Sequence, residues 1–315
     1  MTGQTILVYY PDAAEACAYA ARIRLPRRGI TIHVTCKPEE AAALISETEI
    51  LYAWKFPASL LSQAPKLRWV QVMGAGVERF LVPELGRQVI VTRAAGIFGP
   101  WMAEYTVAWC LWVTQRIARF REQQTARRWI PVDPLRLRGA TLCVVGLGDI
   151  GRDIARMARR LGVRVVGVSR SGRPVPEAER VYPRRAIRTA LGHADFVVLT
   201  VPLQPETRGL IGARELALMK PSAWLINIAR GPVVDEKALI EALRERRIGG
   251  AVLDVFDEEP LPADHPLWTL DNVAITPHIS GPSTPGEITP LFNDNLRRYL
   301  AGRPLRHVVN RRRGY

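Results

Sequence analysis

Residues 141–151 read Thr-Leu-Cys-Val-Val-Gly-Leu-Gly-Asp-Ile-Gly. An apolar run, Leu142–Val145, leads straight into G-x-G-x-x-G at Gly146, Gly148 and Gly151. In that context the spacing predicts a buried strand, a tight turn and the start of a helix. Gly146 permits the bend, Gly148 lets a pyrophosphate approach the backbone, and Gly151 lets the helix lie close to the strand. The helix N-terminus offers unpaired N–H groups and partial positive charge to phosphates. Leu147, Asp149 and Ile150 fall inside the same cradle. Ile150, Ile154, Met157, Ala158 and Leu161 continue as one helical face, ended by Gly162, and Val163–Val168 reads as the next strand. The motif starts about 140 residues into a chain of 315. A dinucleotide-binding unit that begins there must follow a separate domain, with the catalytic cleft expected between the two.

The residues ahead of the motif fit that expectation. Ile6–Tyr10, Ile30–Thr35, Glu49–Ala53, Leu67–Val72 and Val89–Thr92 read as short buried strands. Helical stretches near 13–25, 38–46 and 57–63 separate the first four, a rhythm that implies a small parallel sheet. After the breaker cluster 96–100, a long helix is expected from Trp101 to about Arg128. Trp101, Tyr105, Trp109, Trp112 and Val113 form an apolar stripe on it, read as core or subunit interface. Beyond the motif, strands are expected at Phe196–Val201, Trp224–Ile228, Gly250–Val255 and Val273–Ile275, with a last helix at Glu287–Leu300.

Composition narrows the function classes. The hydrophobic fraction is 48%, and no run of 18 apolar residues exists, so no membrane span is expected. The N-terminus runs directly into Ile6–Tyr10 without a basic region and apolar core, so no signal peptide is expected. Cys17, Cys36, Cys110 and Cys143 form neither a C-x-x-C pair nor a metal-ligand spacing. Free thiols in a reducing cytoplasm, and no metal, follow. The net charge of +14 raises nucleic acid as a partner. The basic residues, however, are spread over Arg22–Arg28, Arg116–Arg128, Arg156–Arg164 and Arg311–Arg313, and Phe120 alone among them does not make the aromatic interleaving of a single-strand binder. Lysine is confined to positions 37, 55, 66, 220 and 237, so arginine use is a bias of the whole chain and no nucleic-acid surface is expected.

About twenty residues past the motif, an NAD site would place an acidic residue on the ribose 2′-hydroxyl. This chain has Ser169-Arg170-Ser171-Gly172-Arg173 there. Hydroxyl donors at Ser169 and Ser171 and guanidiniums at Arg170 and Arg173 suit a 2′-phosphate. NADP(H) is the expected coenzyme, with NAD(H) possible. The plainer reading is an arginine-rich loop in an arginine-rich chain.

Three later segments carry candidate chemistry: Asn227-Ile228-Ala229-Arg230-Gly231, Asp254–Pro260 and Thr276-Pro277-His278-Ile279-Ser280-Gly281. Arg230 can hold a carboxylate and keto oxygen. His278 can donate a proton near neutral pH. Glu259, if bonded to the other ring nitrogen, would favour the imidazolium. Taken singly, the histidine could be structural and Glu258-Glu259 a solvated acidic turn.

Taken together, these segments resemble the D-isomer-specific 2-hydroxyacid dehydrogenase family. Val144–Gly151, Pro202–Ile211, Asn227–Glu236, Gly250–Pro262, Pro266–Trp268 and Thr276–Gly281 carry the resemblance. It implies a Rossmann dinucleotide-binding domain, 99–282, inserted into a smaller flavodoxin-like α/β substrate domain, 1–98 and 283–315. It also implies a homodimer, a catalytic set of Arg230, Glu259 and His278, and Asp254 beside the nicotinamide. Val201, Pro202, Thr207, Ile228, Ala229, His278 and Gly281 would join the coenzyme site. Gly74-Ala75-Gly76 resembles the family loop that holds the substrate carboxylate. Trp54-Lys55-Phe56-Pro57 and Met102-Ala103-Glu104-Tyr105 are similar to the NADP-dependent glyoxylate and hydroxypyruvate reductases. Trp54 and Lys55 would then line a pocket for a small 2-keto acid, although Trp54 reads equally as a core residue. Cys143 departs from the common glycine and is expected to be buried and inert. Reduction of small 2-keto acids to D-2-hydroxy acids is the leading expectation. The alternatives are a nucleotide-sensing corepressor, or a phosphite or 3-phosphoglycerate dehydrogenase. The Ser-Arg loop disfavours both dehydrogenases.

Overall fold

The computed structural model describes residues 4–26, 28–311 and 314. Arg27, Arg312 and Arg313 of the basic runs, and the end positions 1 and 315 of the expected domains, lie outside them. The chain divides into two compact units, Met1–Ile97 with Ser283–Tyr315, and Phe98–Pro282.

The first unit contains β1 (Gln4–Tyr9), α1 (Ala13–Ala20), β2 (Ile30–Thr35), α2 (Pro38–Leu44), β3 (Ile50–Ala53), β4 (Trp69–Val72) and β5 (Ile90–Arg93). Its strands are all parallel, in the order β2-β1-β3-β4-β5. That is the flavodoxin-like order, in which the chain switches direction beside β1. Strands covered on both faces need uninterrupted apolar runs, and every residue of β3 and β4 is buried. The helix expected over 13–25 stops at Ala20, and 58–63 forms 3-10 turns instead of an α-helix. α9 (Pro285–Leu300) belongs to this unit and stacks Phe292 between Tyr52 and Trp69, with ring centroids 4.2 and 5.2 Å apart.

The second unit runs through α3 (Phe98–Thr114), α4 (Ile117–Thr125), β6 (Thr141–Val145), α5 (Asp149–Arg160), β7 (Arg164–Ser169), β8 (Arg180–Pro183), α6 (Ile187–Leu191), β9 (Phe196–Leu199), α7 (Ala213–Leu216), β10 (Trp224–Asn227), α8 (Glu236–Arg244), β11 (Gly250–Leu253) and β12 (Val273–Ile275). Its parallel sheet has the order β12-β11-β10-β9-β6-β7-β8. Read from β8, this is the Rossmann order with a seventh strand added. The single helix expected from Trp101 to Arg128 is two, because Arg116 adopts a left-handed φ of 56°. The buried face of α3 is Gly99, Met102, Ala103, Thr106, Cys110 and Thr114, not the aromatic stripe. Trp109 and Trp112 instead make edge contacts that reach Trp224. Cys143 is fully buried, and burial pushes its thiol up to about 12, so it carries no thiolate near neutral pH. Among the described residues no helix is long and apolar enough to cross a membrane.

Candidate active site

β6 ends at Val145 and α5 begins at Asp149, so the glycine loop is the strand-to-helix turn that its spacing predicts. A Cβ on Gly151 would lie 1.9 Å from the Gly146 carbonyl oxygen, so only glycine lets the helix come this close. The Thr200 hydroxyl, at the end of β9, donates to that same carbonyl at 2.6 Å and pins the loop from the other side. A Cβ on Gly148 would meet nothing within 4 Å, and no side chain caps α5. The loop therefore leaves open space in front of an uncapped helix start, the arrangement a pyrophosphate requires. Leu147 packs over β7, where a Cβ on Gly167 would lie 2.2 Å from its Cδ1. Asp149 is exposed and Ile150 half-buried.

β7 delivers the serine-arginine loop at its C-terminal end. Gly172 N donates to Ser169 Oγ at 3.0 Å and Arg173 N to Ser171 Oγ at 3.4 Å, so the hydroxyls shape the turn. Arg170, Ser171 and Arg173 are exposed. Beyond β9, the Thr207 hydroxyl donates to Pro202 O at 2.7 Å and accepts from Gln204 N at 2.8 Å. Thr207 thus closes its own loop, beside the half-buried Val201 and Pro202.

β10, β11 and β12 are neighbours in register, Asn227 opposite Leu253 and Leu253 opposite Ile275. The three candidate segments leave their C-terminal ends, the edge where ligands bind in open α/β sheets. Buried polar residues, Asn227 and Asp254, organise two of these loops. Asn227 accepts from Ala229 N at 3.1 Å and donates to Arg230 O at 3.0 Å, folding the turn that carries Ile228, Ala229 and Arg230. Asp254, fully buried, accepts from Ile279 N at 2.8 Å and Ser280 N at 2.9 Å, and so winds the His278 loop around its carboxylate. Phe256 N donates to Glu259 Oε1 at 3.1 Å and fixes the third loop. A Cβ on Gly231 would lie 2.0 Å from the Phe256 carbonyl carbon, so the Arg230 turn rests directly on the strand of chain leading to Glu259.

These loops bring His278 and Glu259 together: Nδ1 lies 2.8 Å from Oε2. His278 has a left-handed φ of 55°, a conformation uncommon for a residue with a side chain. Burial alone would raise the Glu259 carboxyl. The hydrogen bond and charge of His278, the Phe256 amide and the Arg230 charge outweigh it and hold the group below its ordinary range. Nδ1 is thereby committed to a carboxylate, which leaves Nε2 as the ring atom able to exchange a proton with a ligand. Arg230 is half-buried, and one of its nitrogens donates to Ala229 O at 2.6 Å. Gly281 follows the histidine loop and approaches the Met102 side chain of α3.

In the first unit, Trp54 and Lys55 follow β3, and Gly74, Ala75 and Gly76 follow β4. The two segments touch, since a Cβ on Gly74 would lie 2.2 Å from Trp54 Cζ3. Trp54 is half-buried, and Lys55 is exposed with a left-handed φ of 51°. Thr200, Asn227 and Thr276 went without a role in the sequence reading. Their signal is a polar residue at the last position of a buried strand or just past it, where the ladder ends and backbone groups need partners.

Residues 107–280 match the model of the D-isomer specific 2-hydroxyacid dehydrogenase NAD binding domain. The glyoxylate reductase of Aeropyrum pernix is 36% identical, with 87% of this chain and 84% of that one aligned. Glyoxylate/hydroxypyruvate reductase B of an Enterobacter species is 36% identical over 86% and 85% of the two chains. The NADPH-dependent glyoxylate/hydroxypyruvate reductase of Sinorhizobium meliloti, solved with NADP and sulfate, is 28% identical over 99% of this chain and all of that one, with a TM-score of 0.90.

Proposed function

The chain belongs to the D-isomer specific 2-hydroxyacid dehydrogenase family, and from that premise we propose that it reduces glyoxylate, hydroxypyruvate or a similar small 2-keto acid with NADPH. It is an oxidoreductase with an NAD(P)-binding Rossmann domain. The observation that carries the finer reading is the 2.8 Å pair of His278 Nδ1 and Glu259 Oε2, which joins the loops after β12 and β11, the latter next to the loop bearing Arg230. The open glycine turn at the start of α5 would hold the coenzyme pyrophosphate. Ser169, Arg170, Ser171 and Arg173 would take the 2′-phosphate, with Ile228, Ala229 and Gly281 beside the remainder. When bound, the coenzyme supplies a hydride to the keto carbon. Arg230 would hold the substrate carboxylate and keto oxygen; the backbone N–H groups of Gly74–Gly76, in the first unit, are by themselves a candidate carboxylate-binding loop. His278 gives its Nε2 proton to the keto oxygen, and Glu259 holds the ring through Nδ1. Trp54 and Lys55 limit the acid to a small one. The protein acts as a homodimer, which sedimentation would check.

A coupled comparison of both reduced coenzymes against glyoxylate, hydroxypyruvate, pyruvate and phenylpyruvate tests this reading. NADPH should exceed NADH in kcat/KM by about tenfold or more, because a 2′-phosphate gains charge-assisted bonds that a hydroxyl cannot make. Equal efficiency with NADH would remove the coenzyme assignment.

A further inference from the structure

The His278 loop has an anchor outside its own strand. Thr276 Oγ1 donates to Asp254 Oδ1 at 2.6 Å. It also lies 2.7 Å from the hydroxyl of Tyr105, on α3. A carboxylate only accepts, and a threonine hydroxyl has one proton. That proton goes to Asp254, so the Tyr105 phenol donates to Thr276. Burial raises the Tyr105 hydroxyl above its ordinary range, with the Asp254 charge acting the same way, so it stays a donor at any working pH. The relay thus runs Tyr105 to Thr276 to Asp254, and Asp254 in turn holds the amides of Ile279 and Ser280. His278 sits between the held positions.

We propose that Tyr105 is a positioning residue for His278, acting through Thr276 and Asp254 to fix the loop from which the imidazole projects. This rests on the reading of His278 as the proton donor. His278 has a left-handed backbone and a side chain about two-fifths exposed, so its direction depends on its neighbours. Glu259 fixes the ring at one nitrogen, and the Asp254 cluster fixes the backbone beneath it. α3 reaches the loop at two points, Tyr105 at Thr276 and Met102 at Gly281. Arg230 hangs on a different loop, organised by Asn227. Loosening the relay therefore disturbs proton delivery and leaves substrate anchoring in place.

Steady-state kinetics of Tyr105→Phe, Thr276→Val and Thr276→Ser test the proposal. Tyr105→Phe removes one hydroxyl and lowers kcat about tenfold, while KM for the keto acid and the fluorescence-measured affinity for NADPH change less than about twofold. Thr276→Val lowers kcat about a hundredfold, and Thr276→Ser recovers most of it. The double variant is no slower than Thr276→Val, since both act on one device. Tyr105→Phe with wild-type turnover overturns the proposal. So does an equal change in KM and kcat, or Thr276→Ser as slow as Thr276→Val. Should Thr276→Val fail to fold, the other two single variants decide. A wild-type protein that reduces none of the acids refutes the functional reading instead. The relay is then judged by NMR of the His278 ring, identified among five histidines by its loss in His278→Ala. Shifted or broadened His278 signals in Tyr105→Phe support it, and an unchanged spectrum overturns it.

Discussion

Glu259 is the side chain whose ionisation the candidate chemistry leans on most. Its carboxyl is depressed in the folded protein despite the opposing effect of burial. A group depressed in this way contributes stability above its unfolded pKa and loses it as pH falls through the folded value. Glu259 is therefore ionised at neutral pH, and its charge faces the His278 ring. In the wild type, kcat should fall as pH drops through the depressed Glu259 value, because a protonated carboxyl no longer presents its charge to the ring. Glu259→Gln should lower kcat and abolish that acid-side fall. A profile of kcat against pH with the same acid limb in both proteins would separate Glu259 from the reaction. His278→Ala and Arg230→Ala should each lower kcat/KM by about 100- to 10,000-fold and leave NADPH binding within reach of wild type. Fluorescence titration alongside the assay makes the distinction, and a variant with near-normal turnover would remove its residue from the mechanism.

At the scale of elements, the β6–α5 turn should tolerate nothing larger than glycine at 151. Gly151→Ala pushes a methyl group to 1.9 Å from the Gly146 carbonyl, so strand and helix must part. A loss of about 1–3 kcal/mol of stability is expected, together with weakened binding of both coenzymes, read by thermal melts and titration. The loop after β7 should behave differently. Arg170→Ala combined with Arg173→Ala should raise KM for NADPH about tenfold or more and barely move KM for NADH. Equal losses with both coenzymes would mean that the loop serves the fold and not the phosphate. The glycine turn was legible because strand, turn and helix signals coincide within Leu142–Leu161. The break at Arg116 was not, since arginine is an ordinary helix former and only its left-handed φ ends α3. The stripe on α3 was read as core or subunit interface, and the core half of that reading missed the buried face for a related reason. The helix is apolar on most sides, so Met102, Thr106 and Cys110 competed with the tryptophans for the buried face. In the candidate site, Arg230, Glu259 and His278 were legible only as a combination of three segments, since each taken singly reads as structural or solvated. Tyr105 was read as part of the apolar stripe and Thr276 had no role, because a hydroxyl relay between an early helix and a late loop leaves no spacing to read.

For the molecule as a whole, the discontinuous unit makes a testable demand. Tyr52, Trp69 and Phe292 form one stack in its core, and Phe292 arrives from α9. Phe292→Ala should cost about 3–5 kcal/mol and lower the melting of Met1–Ile97 with Ser283–Tyr315 in particular. Calorimetry with and without NADPH would reveal it, because coenzyme protects the unit that binds it. A single unchanged transition would contradict the assignment of that core. The same division shapes how the polypeptide leaves the ribosome. Phe98–Pro282 is one uninterrupted stretch and can mature as soon as it emerges. The strands made first must wait for α9 before their aromatic stack is complete, a delay of roughly ten to forty seconds at ordinary rates of synthesis. During that interval a sheet of short apolar strands stands uncovered in the nascent chain. Chaperone dependence and slow-codon effects should therefore concentrate on the oldest part of the protein, not the newest.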